Sequence, residues 1–229
     1  MDNQIRKGFP LPLENLLGIT DPAELARVEE ELSKTRAVEL FTAGLLDEFE
    51  AGTFEGLSAI HRYLCDGIYG FAGEVRDVNI AKDDFRFAPV MFLQTALDYI
   101  SQMPQTTFDE IIAKYVEMNV AHPFREGNGR AARIWLDMIL KTELAQVVDW
   151  TLVEKGSYLS AMKRSPINNL EIKTLLRAAL TSEIHDREVY LQGIDTSYFY
   201  EGFNRYAARD LHPTESDSAH FRPADNPTE

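Results

Sequence analysis

The sequence predicts an all-α fold carrying one small β-hairpin. Three observations lead there. Apolar residues recur at helical spacing through most of the chain, and helix start and stop residues punctuate that recurrence. A single segment switches to strand-forming residues around a polar turn.

The first helical stretch opens at Asp21-Pro22, an N-cap followed by proline at the first helical position. Leu25, Val28, Leu32, Val38, Phe41 and Leu45 follow at roughly helical spacing, as one helix or two. Leu57, Ile60, Leu64 and Ile68 mark one face of the next helix, which closes at a glycine. Pro104 separates "APVMFLQTALDYISQM" from "TTFDEIIAKYVEMNVAH", and "GRAARIWLDMILKTEL" comes after a polar interruption. "KGSYLSAMKR", "NLEIKTLLRAALTS" and "HDREVYLQGID" continue the helical pattern. The exception is residues 73–87, where Val75, Val78, Ile80, Phe85 and Phe87 flank "AKDD". A hairpin so small must rest on the helices, either as a cover over a ligand or as plain structure. Residues 1–20 read as a lead-in, 21–203 as one domain, and the polar, proline-containing 204–229 as a mobile tail.

Composition narrows the function. A 229-residue chain with 45% apolar residues can build a packed core. Its net charge of −14 argues against a nucleic-acid binder working through a basic surface, so any anion must be met by a local cluster of donors. The lone Cys65 excludes an internal disulfide and a cysteine zinc site and fits a reducing cytosol. No signal-peptide run and no membrane-length apolar stretch occur, so the expectation is a cytoplasmic protein without a membrane partner.

The polar interruption is "HPFREGNGR", residues 122–130, followed by Arg133. Gly127 and Gly129 allow backbone N–H groups to approach a ligand closely. A helix starting at Asn128 or Gly129 aims its positive end at the loop, where phosphate binds readily. Arg130 and Arg133, three apart, project from one side toward the same anion. Glu126 would repel phosphates unless a Mg²⁺ lay between them. His122 can take a proton from an attacking hydroxyl. Base, metal ligand, anion nest and two clamps together are the inventory of phosphoryl or nucleotidyl transfer.

At every fixed position this stretch matches HxFx(D/E)GNGRxxR, and the chain from about residue 40 to 203 resembles the Fic family. That resemblance implies a mainly helical enzyme that transfers AMP from ATP to a Tyr, Ser or Thr hydroxyl of a target protein. His122 would then be the general base, with Phe124 packing beneath the loop and Glu126 holding Mg²⁺. Gly127, Asn128 and Gly129 would form the anion hole, the Asn128 side chain also reaching a phosphate. Arg130 would hold the β-phosphate region and Arg133 the γ-phosphate. The hairpin, with Val78, Asn79, Ile80 and Lys82, would be the flap that aligns the target. By family analogy, a type II topoisomerase is a candidate target.

A second motif lies in "DTSYFYEGF", residues 195–203, read as a short helix capped by Asp195 or Thr196 and ended by Gly202. Ser197, Glu201 and Gly202 match the family's inhibitory signature (S/T)xxxE(G/N), which places the chain with members that carry their inhibitor at the C-terminus. The resemblance implies that Glu201 pairs with Arg133 where the γ-phosphate belongs. Relief would come from loss of the helix, dissociation of a homo-oligomer, or self-modification at Tyr198 or Tyr200. The alternatives are another nucleotide donor, removal of AMP, or a locked nucleotide-binding regulatory module.

Overall fold

The computed structural model describes residues 13–82 and 85–212. Among them are eight α-helices: α1 (Pro22–Thr42), α2 (Phe54–Cys65), α3 (Val90–Gln102), α4 (Phe108–Ala121), α5 (Asn128–Leu144), α6 (Lys155–Arg164), α7 (Leu170–Ala178) and α8 (Arg187–Glu201). Two short antiparallel ladders complete the fold, β1 (Ala81–Lys82) with β2 (Phe85–Arg86) and β3 (Val147–Val148) with β4 (Leu180–Thr181). None of the described helices is long and apolar enough to cross a membrane.

Local chemistry sets the helix starts. Asp21 accepts the Glu24 N–H at 2.7 Å, and Thr107 with Glu110 forms a reciprocal capping box at the start of α4. Helix α5 runs through the middle of the fold, against α2, α4 and α8, with Trp135, Leu136, Ile139 and Leu140 fully buried. The Trp135 indole N–H donates to Thr53 O, so this large side chain is buried with its polar atom satisfied. Because α5 is anchored along its length, its N-terminal end is a rigid platform.

Several expectations need correction. The first stretch, open between one helix and two, is a single 21-residue α-helix that stops at Thr42, so Leu45 lies beyond it in a short 3-10 turn. The hairpin's paired strands are two residues each, and Val78, Asn79 and Ile80 precede them as coil. Leu180 and Thr181 leave the helical pattern to pair with β3. The helix carrying Glu201 begins at Arg187, capped by Asp186, so Asp195 lies in its interior and caps nothing. Gly202 does end it, at φ 97°, in the left-handed region that favours glycine.

The start of the expected tail is also pinned. Glu30 Oε1 accepts the N–H groups of Arg205 and Tyr206, and Asp195 accepts that of Ala208. Lys34, 1% exposed, donates to Glu30, to Asp195 and to the Tyr206 carbonyl. The rest of the tail, from residue 213, lies outside the described residues. This buried network fastens α1, α8 and residues 205–208 to one another. Truncating Lys34 leaves buried Glu30 without its cation, which costs about 3–5 kcal/mol. Lys34→Ala is therefore expected to lower the urea midpoint strongly, and a shift worth under about 1 kcal/mol would show the network to be marginal.

Candidate active site

Helix α4 ends at Ala121, and His122 follows with φ 49°, a left-handed conformation rare outside glycine. That turn redirects the chain into the loop leading to α5. Phe124 is fully buried beneath the loop and stacks on the His61 ring at 3.8 Å. Asn128 Oδ1 accepts the Phe124 N–H and Asn128 Nδ2 donates to the Phe124 carbonyl, both at 2.8 Å. The Asn128 side chain thus closes the loop, and the residue also lines the cleft.

His61 holds the loop from below. The Gly73 N–H donates to Nδ1 at 2.9 Å, which leaves the proton on Nε2 for the Glu126 carbonyl at 2.8 Å. Burial lowers its pKa to about 4, so the imidazole is neutral. Sequence reasoning missed this residue. Its one signal is a histidine on the otherwise apolar face that includes Ile60 and Leu64.

The catalytic candidate His122 lines a cleft of about 790 Å³, together with Lys82, Glu126, Asn128, Gly129, Arg133 and Glu201. Its ring stacks on Phe87, just past β2, at 3.6 Å. The Asn119 carbonyl lies 3.3 Å from Nδ1 and can only accept, so Nδ1 carries the proton and Nε2 keeps its lone pair. Burial, aided by the charges of Arg76 and Lys82, lowers the pKa to about 3 against the Asn119 contact, which raises it. The group is a free base at neutral pH.

Gly127 ends the loop at φ 74° and α5 begins at Asn128, so the positive end of α5 faces the cleft. Over it sits the carboxylate of Glu201. Its Oε1 accepts from Arg133 Nη2 at 2.8 Å, and Oε2 lies 2.7 Å from Arg130 Nε. A Cβ at Gly129 would meet Glu201 Oε1 at 2.4 Å, so the absence of a side chain there is what lets the carboxylate sit on the helix end. Ser197 completes the contact, accepting from Arg133 Nε at 2.7 Å through Oγ and from Nη2 at 2.9 Å through its carbonyl. The expected Ser197, Glu201 and Arg133 are therefore brought together.

Arg130 is less available than its motif position implies. Its Nη2 donates to Glu29 Oε1 at 2.7 Å, and Glu126 lies 3.6 Å away. Burial alone would lower its pKa, but Glu29 and then Glu201 outweigh that and hold it well above the ordinary value. Glu29 was not foreseen, being one more acid in a charged helical run. Although close, Arg130 Nε and Glu201 Oε2 are misaligned for a hydrogen bond, and among the described residues neither atom has another partner.

Glu126 is 44% exposed at the cleft wall, accepts the Gly127 N–H at 3.0 Å, and has its pKa raised by burial. No cluster of three or more His, Cys, Asp or Glu suited to a metal occurs among the described residues. A single carboxylate beside an anion site fits Mg²⁺, which takes one or two carboxylates plus phosphate oxygens.

Tyr198 and Tyr200 are buried, their hydroxyls donating to Ser33 Oγ and to the Val153 carbonyl. Self-modification at either is incompatible with this packing unless α8 moves. Lys82 lies in β1 at the cleft, Val78 is exposed, and the Asn79 side chain accepts the Val90 N–H that opens α3.

Residues 52–140 match the Fic/DOC family. The chain carries a Fic domain. It is 33% identical over 196 residues to protein adenylyltransferase VbhT of Bartonella schoenbuchensis, covering 79% of this chain but 40% of that relative. The probable protein adenylyltransferase Fic of Escherichia coli K12 is 26% identical, with 77% of this chain and 90% of that one covered. In fold it resembles the Bartonella tribocorum effector BepC, solved with bound AMPPNP, at a TM-score of 0.60 and 21% identity, over 77% of this chain and 95% of that one. The mainly helical Fic fold is thus the architecture described above.

The depressed histidines have a consequence for stability. Between the ordinary imidazole pKa of about 6.5 and the folded values, the unfolded chain binds protons that the native protein refuses. Each histidine therefore removes stability as pH falls through that window. Asp137, raised to about 7 by burial, acts in the opposite sense, because the folded carboxyl keeps its proton. In His61→Phe, the loss of stability on acidification from about pH 6.5 to 5 should shrink by up to about 1 kcal/mol per pH unit. Urea midpoints measured across that range check it, and parallel curves for the two proteins would refute it.

Proposed function

We propose that the chain is a cytoplasmic protein adenylyltransferase held inactive by its own Glu201. The observation that carries this reading is the Glu201 carboxylate lodged at the start of α5 against Arg130 and Arg133. A place built to seat one anion in this way suits the terminal phosphates of a nucleotide once that carboxylate withdraws.

With Glu201 displaced, Arg133 is the clamp for the γ-phosphate, and the Arg130 Nε now lacking an aligned partner serves the neighbouring phosphate. Backbone N–H groups from Gly127 to Gly129 receive the α-phosphate oxygens. Neutral His122 takes the proton from the hydroxyl of a target Tyr, Ser or Thr. That oxygen attacks the α-phosphorus, the bond to the bridging oxygen breaks, and pyrophosphate leaves. Mg²⁺ bound by Glu126 and phosphate oxygens would neutralise the charge on that leaving group. The short strands of the flap, ending beside Phe87 and His122, present the target segment to the base.

Inhibition follows from the same contacts. While Glu201 occupies Arg133, a triphosphate can enter only with its α-phosphorus out of line, and a displacement near an ångström costs on the order of a hundredfold in rate. Ser197 aids the block by engaging Arg133 from the same helix.

Glu201→Gly is therefore expected to transfer label from α-labelled ATP to protein in a lysate at a rate on the order of a hundredfold or more above wild type. Adding His122→Ala should abolish the transfer, and γ-labelled ATP should label nothing. A silent single variant, or one indifferent to His122, would remove this assignment, and γ-label on protein would point to kinase chemistry.

A further inference from the structure

Arg76 lies in the coil between α2 and β1, only 3% exposed, and no acid pairs with it among the described residues. Its guanidinium instead donates to four main-chain carbonyls. Nε reaches His122 O at 2.7 Å and Nη1 reaches Val78 O at 2.7 Å. Nη2 reaches both Ala88 O at 2.5 Å and Ala121 O at 3.1 Å. The Arg76 N–H donates in addition to Pro123 O at 2.8 Å.

A buried cation without a counter-charge is costly unless dipoles replace one. Here the dipoles are the unsatisfied carbonyls at the C-terminal end of α4, where partial negative charge accumulates. The arrangement has a geometric product. Three of the five carbonyls belong to residues 121–123, the turn that places His122 in its left-handed conformation. The other two, Val78 and Ala88, bracket the paired strands of the flap. The Ala88 N–H closes the same junction by donating to Val120 O at 2.9 Å, and Phe87 lies face to face with the His122 ring. One planar group thus fixes the root of the flap and the backbone of the base together.

We propose that Arg76 is a positioning residue that couples the flap to His122, so that the base and the bound target segment keep a fixed relation. This rests on the adenylyltransferase reading. The coupling is independent of nucleotide binding, because the guanidinium contacts no residue of α5 and none of the phosphate-holding groups. Arginine is required because its planar fork serves several acceptors in fixed directions, which a lysine ammonium does not reproduce.

The test uses the full chain carrying Glu201→Gly, alone and combined with Arg76→Lys or Arg76→Gln. MgATP affinity is measured by calorimetry, label transfer from α-labelled ATP at saturating nucleotide, and amide exchange along the chain. Expected is MgATP affinity unchanged within about twofold, transfer reduced roughly tenfold to a hundredfold by Gln, and an intermediate rate for Lys. Exchange should accelerate at Arg76 and Ala88 and stay unchanged at Ala131 in α5. Full transfer by the Gln variant overturns the proposal. So does a parallel loss of MgATP affinity, which would mark Arg76 as general support for the fold. If Gln prevents folding, the Lys variant decides by the same criteria. If Glu201→Gly alone transfers nothing, the functional reading fails separately, and exchange still judges the coupling. Acceleration confined to the flap root and the His122 turn supports it, and unchanged exchange there refutes it.

Discussion

One carboxylate governs this structure. Glu201 sits on the positive end of α5 between Arg130 and Arg133, and most neighbouring features exist to bring those groups together. Gly129 keeps the helix end bare for it, Gly202 ends α8 directly behind it, and Ser197 shares Arg133 with it. Two buried guanidinium groups so close would repel each other strongly in a medium of low permittivity. Glu201 and Glu29 supply the compensation, so this arrangement is electrostatically balanced. In the proposed reaction, a nucleotide entering the cleft replaces that balance with its own phosphates.

The position of Glu201 is set from a distance. Its helix is fastened to α1 through Lys34 and Asp195, and to residues 205–208 through the same buried group of charges. Tyr198 adds a hydroxyl contact to Ser33 of α1 and lies against the Arg130 guanidinium. Such partly ionic attachments are costly to break one partner at a time, yet a well-packed apolar contact of similar size would be as stable. Their value here is directional, because they fix the rotation of α8 that points Glu201 inward.

The opposite wall of the cleft follows a different logic. The His122 turn, the flap root and the Arg76 guanidinium are held by backbone carbonyls rather than acid–base pairs. This separation gives the cleft one wall held by ion pairs and another, carrying His122, held by backbone carbonyls.

Much of the site was legible in one contiguous stretch. His122, Glu126, the glycines and the start of α5 follow from residue type and spacing, because loop and helix end are local structures. The helical fold was legible for the same reason, apart from the short β pairing at Leu180–Thr181, whose partner lies some thirty residues away. The pairing of Glu201 with Arg133 was reached only through the motif, since nothing local links residues so far apart. What the tertiary structure alone decided is which charges are buried. Glu29, Glu30 and Lys34 look like any solvated helix face until α8 and the chain after it close over them. Asn128 and Arg76 have polar side chains whose partners are backbone atoms, and backbone atoms leave no trace in a sequence. Sequence determined the inventory of groups and their local geometry, whereas packing determined which of them water no longer reaches, and so which attract one another strongly enough to hold Glu201 on the start of α5.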